Sequence, residues 1–196
     1  MDWSNRDILI FGLGGFTAIL SIACYHRIKA KGLKQIVHKE WKTGENQPIP
    51  FDNKSYKSWT PAELRSGGGL YPFVISAVVP RPIALVVSIS KSGILNCAPF
   101  SYFNVISHDP PLVAIGLCIN GRTKTKKDTL NNIEETGQFV VNIMSSWYVD
   151  SANHTCGNFP PEENEMILAG LTNIKSDLVT PPRVGEAAVQ LECEVY

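Results

Sequence analysis

The chain has 196 residues, enough for one domain of ordinary size plus an appendage. Basic and acidic side chains balance at 18 each, so a net charge of zero argues against a nucleic-acid surface or a polyanionic partner. Five cysteines are scattered without a C-x-x-C pair, which argues against a disulfide framework and a zinc site and favours a reducing compartment; no metal site is expected.

Ile8 to Tyr25 form an 18-residue run without a charge, just long enough to span a bilayer. Arg27, Lys29, Lys31, Lys34, Lys39 and Lys42 follow it, against Glu40 and Glu45. The positive-inside rule then puts the C-terminal domain in the cytosol. The expectation is a single-pass transmembrane helix in residues 1–25 and a basic, polar linker over 26–69. A cleaved signal peptide fits less well, because Asp2 and Asp7 precede the run and a basic block follows it. Under this topology the sequons at Asn53 and Asn153 are silent. Within the run, Gly12-Leu13-Gly14-Gly15 imitates a dinucleotide-binding turn. Thr17 stands where that fingerprint needs Gly or Ala, and no acidic residue follows at the required distance.

Thr60-Pro61-Ala62-Glu63 reads as a helix start with a capping box, stopped by Gly67-Gly68-Gly69. Ile83 to Ser90 is short and β-branched, hence a strand. Lys91-Ser92-Gly93 is a turn, and Ile94 to Phe103 returns as the partner strand. Asp109-Pro110-Pro111 breaks the chain before a third strand over Leu112 to Ile119. Thr129 to Thr136 is predicted helical, with Asp128 as N-cap and Gly137 as terminator. Phe139 to Ile143 and Ala188 to Tyr196 complete the strands, the last alternating Val189, Leu191, Cys193 and Val195 with polar residues. Residues 70–196 thus read as a mainly β domain, a small antiparallel barrel with minor helices. The last strand runs to the final residue, so the barrel is expected to be C-terminally shortened or covered at that edge by a partner.

Two stretches carry the chemistry. Asn96 to Pro111 (N-C-A-P-F-S-Y-F-N-V-I-S-H-D-P-P) mixes hydroxyls, amides and aromatic rings between apolar runs. Buried polar groups need partners, so this composition suits a strand lining a polar, planar ligand. Arg122-Thr123-Lys124-Thr125-Lys126-Lys127-Asp128-Thr129 sets four basic side chains before a helix N-terminus, where free N–H groups and the helix dipole favour an anion. A planar slot and a phosphate anchor together suit a flavin mononucleotide. The alternative is a solvated basic loop. His108 and His154 read as structural, and Cys97 as a small apolar filler.

The order P-R-P-I-A (Pro80–Ala84), N-C-A-P-F-S-Y-F-N (Asn96–Asn104), D-P-P (Asp109–Pro111), K-D-T-L-N-N-I (Lys127–Ile133) and E-T-G-Q-F-V-V-N (Glu135–Asn142) resembles the flavin reductase-like, FMN-binding split-barrel family. P-P-R-V (Pro181–Val184) and the Q-L-E-C-E ending are similar to it as well. The resemblance implies a Greek-key split barrel, a homodimer and FMN near the subunit interface. It implies hydride transfer from NAD(P)H to a flavin or flavin-linked acceptor, with a non-catalytic FMN-binding or electron-transfer module as the alternative. Ala98, Ser101, Tyr102, Phe103 and Asn104 would face the isoalloxazine, with Arg81 and Ser88 beside it. Arg122, Lys127 and Thr129 would hold the phosphate, and Asp128 would cap the helix. No acid–base residue is required, because hydride transfer is the cofactor's chemistry. Thr155-Cys156 and Asn164-Glu165-Met166 depart from the family pattern in Asn153–Leu171, which leaves the substrate face open.

Overall fold

The computed structural model describes residues 41–46, 57–121 and 123–196, which fall in two compact units, Met1–Trp59 and Thr60–Tyr196. In the first unit, Trp41 Nε1 donates to the Glu45 carbonyl at 2.8 Å across a short turn. The predicted membrane run over 8–25 lies outside the described residues. Among the described residues, no helix is long and apolar enough to cross a membrane.

The second unit contains, in chain order, α1 (Pro61–Ser66), α2 (Leu70–Ala77), β1 (Ala84–Ile89), β2 (Leu95–Phe100), β3 (Phe103–His108), β4 (Pro111–Ile115), α3 (Asp128–Thr136), β5 (Gln138–Ile143), α4 (Val149–His154), α5 (Glu165–Leu168), β6 (Asn173–Ile174), β7 (Arg183–Val184) and β8 (Gln190–Glu194). Every strand pairing is antiparallel, in a four-stranded sheet ordered β2-β1-β5-β8 and two ribbons, β3-β4 and β6-β7. The mainly β architecture with minor helices is the one expected. The α1 capping box forms as the sequence predicts: Glu63 N–H donates to Thr60 Oγ1 at 3.3 Å and Thr60 N–H to Glu63 Oε2 at 2.6 Å.

β1 is apolar without alternation because both of its faces are covered. Leu85 and Val87 point into one core cluster with Val140 and Met166, while Ala84 and Val86 point into another with Phe100, Ile133 and Val141. Burying each of these large aliphatic side chains stabilises by roughly 1.5–3 kcal/mol. The polar groups between the layers are paired. Asn142 Nδ2 donates to the Leu85 carbonyl at 3.0 Å, and its Oδ1 accepts from Val184 N–H at 2.8 Å, pinning β7 to the sheet.

Four sequence expectations are corrected. The strand predicted over Ile94–Phe103 is two strands: the chain turns at Ser101-Tyr102, and β3 leaves the main sheet to pair with β4. The strand predicted to reach Ile119 stops at Ile115, where Gly116 N–H donates to the Tyr102 carbonyl at 2.6 Å. Only glycine fits there, since a Cβ would lie 2.9 Å from Tyr102 Cβ. Lys127, not Asp128, is the N-cap of α3, and Asp128 stands in the first turn; Gly137 ends the helix in the left-handed region at φ 71° as predicted. β8 spans only Gln190–Glu194: Leu191 and Cys193 pack on the core, whereas Val189 and Val195 are exposed. The helix α2 went unpredicted, and it buries no residue.

Candidate flavin and phosphate site

The turn at Ser101-Tyr102 shapes the site. There β2 ends and β3 departs, so the backbone opens a slot of about 180 Å³ lined by Phe100, Ser101, Tyr102, Gly116, Cys118 and Lys127, with Tyr71 and Pro99. Tyr71 and Tyr102 also border a more apolar hollow of about 450 Å³ against α1 and α2. Pro99 and Lys127 border a larger cavity of about 530 Å³ on the other side. That cavity is walled by β2 (Asn96, Ala98), by the basic loop (Thr123, Thr125, Lys126, Lys127) and by Thr155–Phe159, Pro161 and Glu165.

The basic loop folds on itself. Asn120 N–H donates to the Thr125 carbonyl at 2.8 Å, Lys124 N–H donates to the Asn120 carbonyl at 3.0 Å, and Lys124 takes a left-handed φ of 61°. For a residue with a Cβ that backbone is strained by roughly 1–2 kcal/mol. The two lysines at its end have different fates. Lys126 Nζ pairs with Glu134 at 2.5 Å. Lys127 has no carboxylate partner among the described residues; its ammonium lies 5.3 Å from the centroid of the Phe100 ring, a cation–π position at the junction of slot and cavity. In the first turn of α3, the N–H groups of Asp128 and Thr129 have no acceptor among the described residues. The dipole of this nine-residue helix adds to them. Lys127, these N–H groups and the Thr123 and Thr125 hydroxyls are a donor set that fits a phosphate.

Beneath the donors lies a buried polar chain. Asn96 and Thr129 share a 2.8 Å hydrogen bond. With the Asn96 carbonyl accepting from Thr129 Oγ1, its Nδ2 donates to Glu165 Oε1 at 3.3 Å. Glu165 Oε2 accepts from Cys97 N–H at 3.1 Å. Burial holds the Glu165 carboxyl above the usual carboxylate range, and nearby Asp128 adds to the shift. Burial pushes the Cys97 thiol far up, as suits an inert filler.

The predicted site residues separate into groups. Ala98, Ser101, Tyr102 and Lys127 line the adjoining slot and cavity. Thr129 stands directly behind them, 2 % exposed. Arg81 fastens α2: its guanidinium donates to the carbonyls of Ile75 (2.6 Å) and Val78 (2.5 Å) and to Ser101 Oγ at 3.4 Å. Ser88 is fully buried and accepts from Asn132 Nδ2 at 3.1 Å, away from the slot. Phe103 packs in the core, and Asn104 is exposed with its Oδ1 accepting from Val105 N–H. Arg122 lies outside the described residues. Sequence reasoning missed Tyr71, Gly116 and Glu165 as site-forming groups, and placed Asn96 in the ligand-lining stretch without giving it a role. The one pointer to the Glu165 neighbourhood was the segment Asn153–Leu171, marked by departures from the family pattern at Asn164 and Met166 on either side of Glu165. His108 is exposed at the end of β3, and the His154 ring packs on Phe159 at 5.5 Å.

The chain is 47 % identical over 130 residues to an uncharacterised protein of Aquifex aeolicus (strain VF5), covering 66 % of each chain. Among solved structures it superposes on nitrilotriacetate monooxygenase component B from Bacillus cereus with a TM-score of 0.67 and 38 % identity, covering 72 % of this chain and 69 % of that one. It also superposes on the Pseudomonas fluorescens 2-nitrobenzoate 2-nitroreductase NbaA, with a TM-score of 0.56 and 34 % identity, covering 64 % of this chain and 59 % of that one. The chain spans slightly less than two thirds of the length of the curated relatives it matches. The fold is the flavin reductase split barrel, and the Flavin reductase like domain matches residues 76–196, so the chain belongs to that family.

Proposed function

We propose that this protein is an FMN-binding oxidoreductase of flavin-reductase type, passing hydride from NAD(P)H to a flavin or flavin-linked acceptor. One observation carries the reading: an aromatic slot at the β2–β3 turn adjoins a phosphate-type donor set at the start of α3, with Lys127 shared between them. Bound there, FMN would supply two-electron redox chemistry that side chains lack. The protein's share is to seat the ring against Tyr102, Ser101 and Phe100, hold the phosphate at Lys127, and shield one face with residues 155–159. The absorbance spectrum of the purified chain with FMN, before and after NADH or NADPH, tests this. Flavin absorption that bleaches on reductant addition is expected; absence of FMN affinity contradicts the proposal.

A second reading is a membrane-anchored FMN-binding or electron-transfer module without NAD(P)H turnover, in keeping with a site that presents ligand-binding groups and requires no acid–base residue. Tight FMN binding without bleaching by either nicotinamide selects it. Both readings include a homodimer, in keeping with the exposed Val105 and Ile106 on β3. Both also include a membrane anchor at residues 8–25 with the domain in the cytosol. Deleting residues 1–25 should then move the protein from the membrane to the soluble fraction.

A further inference from the structure

The corner between α1 and α2 forms a hollow that the proposed function leaves unused. Gly68 takes a left-handed φ of 69°, and Gly69 N–H donates to the Leu64 carbonyl at 2.8 Å, so the chain turns back between the two helices. That turn gathers Arg65, at the end of α1, and Leu70, Tyr71 and Val74, on α2, around about 450 Å³ of space; Gly68 and Tyr102 complete the lining. Both walls are anchored within the protein. Arg81 ties α2 through the Ile75 and Val78 carbonyls, and the Tyr102 carbonyl accepts from Gly116 N–H at 2.6 Å.

The lining carries one charge. Arg65 is exposed and has no carboxylate partner among the described residues. Around it stand two tyrosine rings, two aliphatic side chains and a glycine. Such a lining suits a molecule with a flat apolar body and a single negative charge. Aromatic faces favour rings, and a guanidinium offers parallel donors to both oxygens of a carboxylate. The volume is that of a small-molecule pocket. We infer that this hollow is a binding site for a small aromatic carboxylate, its ring against Tyr71 and Tyr102 and its carboxylate on Arg65. The site goes beyond the proposed flavin chemistry, because Arg65, Gly68, Leu70 and Val74 line neither the slot nor the phosphate cavity. Tyr71 and Tyr102 also border the slot, which puts the bound acid beside the proposed flavin.

The test is a calorimetric titration of the full chain with benzoate, benzyl alcohol and cyclohexanecarboxylate. Benzoate should bind at least about tenfold more tightly than benzyl alcohol, which lacks the charge. It should also bind more tightly than cyclohexanecarboxylate, which lacks the flat ring. Arg65→Gln, at an exposed position, should remove most of the preference for benzoate over benzyl alcohol. Val74→Trp, which fills the hollow from α2 outside the slot, should abolish benzoate binding while FMN titrates as in the unaltered chain. No benzoate binding at millimolar concentration, or equal affinity for benzoate and either analogue, overturns the inference. Benzoate binding that FMN displaces and that Arg65→Gln leaves unchanged also overturns it, because the acid then sits in the slot. Failure of FMN to bind, with Arg65-dependent benzoate binding intact, overturns the proposed function and leaves this inference standing.

Discussion

Polar side chains of the same kinds occur in two regions and meet opposite fates. Between the layers, Ser88, Asn96, Asn142, Thr129 and Asn132 are buried and bonded to one another or to backbone. At the β2–β3 turn and in the 123–127 loop, Ser101, Thr123, Thr125 and Lys127 border open cavities. The first set holds strands and helix in register; the second lines the cavities in which the proposed flavin would sit. Residue type does not separate them, but burial with a satisfied partner does.

That contrast can be broken experimentally, beginning with the interior. Asn142→Ala strands the Leu85 carbonyl and the Val184 N–H inside the sheet, and should cost about 3 kcal/mol in urea unfolding. A loss near zero would erase the distinction between the regions. Lys127→Ala should behave oppositely: about tenfold to a hundredfold weaker FMN binding with stability changed by less than about 0.5 kcal/mol. The weakening should shrink at high salt, because the contact is exposed.

Glu165 lies on the boundary, and its effect is the smallest. Its carboxyl is raised above the ordinary 4.5, chiefly by burial. A carboxyl raised in the folded state favours folding while protonated in both states. That contribution is full below 4.5 and is lost as pH rises through the raised value. Glu165→Gln should therefore gain stability over the unaltered chain as pH rises from 4 to 8, with little difference at pH 4. Parallel profiles for the two would show that burial does not raise the Glu165 carboxyl.

Local chemistry made part of this legible. The Thr60–Glu63 capping box, the β1 run with its Lys91–Gly93 turn, and Gly137 after α3 are short-range features that form where expected. The basic cluster before α3 does border a cavity. What escaped depends on distant residues. The break at Ser101-Tyr102 is invisible locally, because the residues on both sides suit strands; it is fixed by Gly116 closing on Tyr102. Ser88 looked available to a ligand until Asn132, 44 positions on, covered it. Glu165 reaches β2 across 68 residues, and no spacing pattern announces that.

In the proposed function, the open polar set at Lys127 and the α3 start holds the phosphate while the Ser101-Tyr102 turn holds the ring. A crystal structure of the chain with FMN measures this directly. Phosphate oxygens are expected within hydrogen-bond distance of Lys127 Nζ and the Asp128 and Thr129 N–H groups, with the ring against Tyr102. Flavin bound elsewhere, with Lys127 turned to solvent, would contradict it.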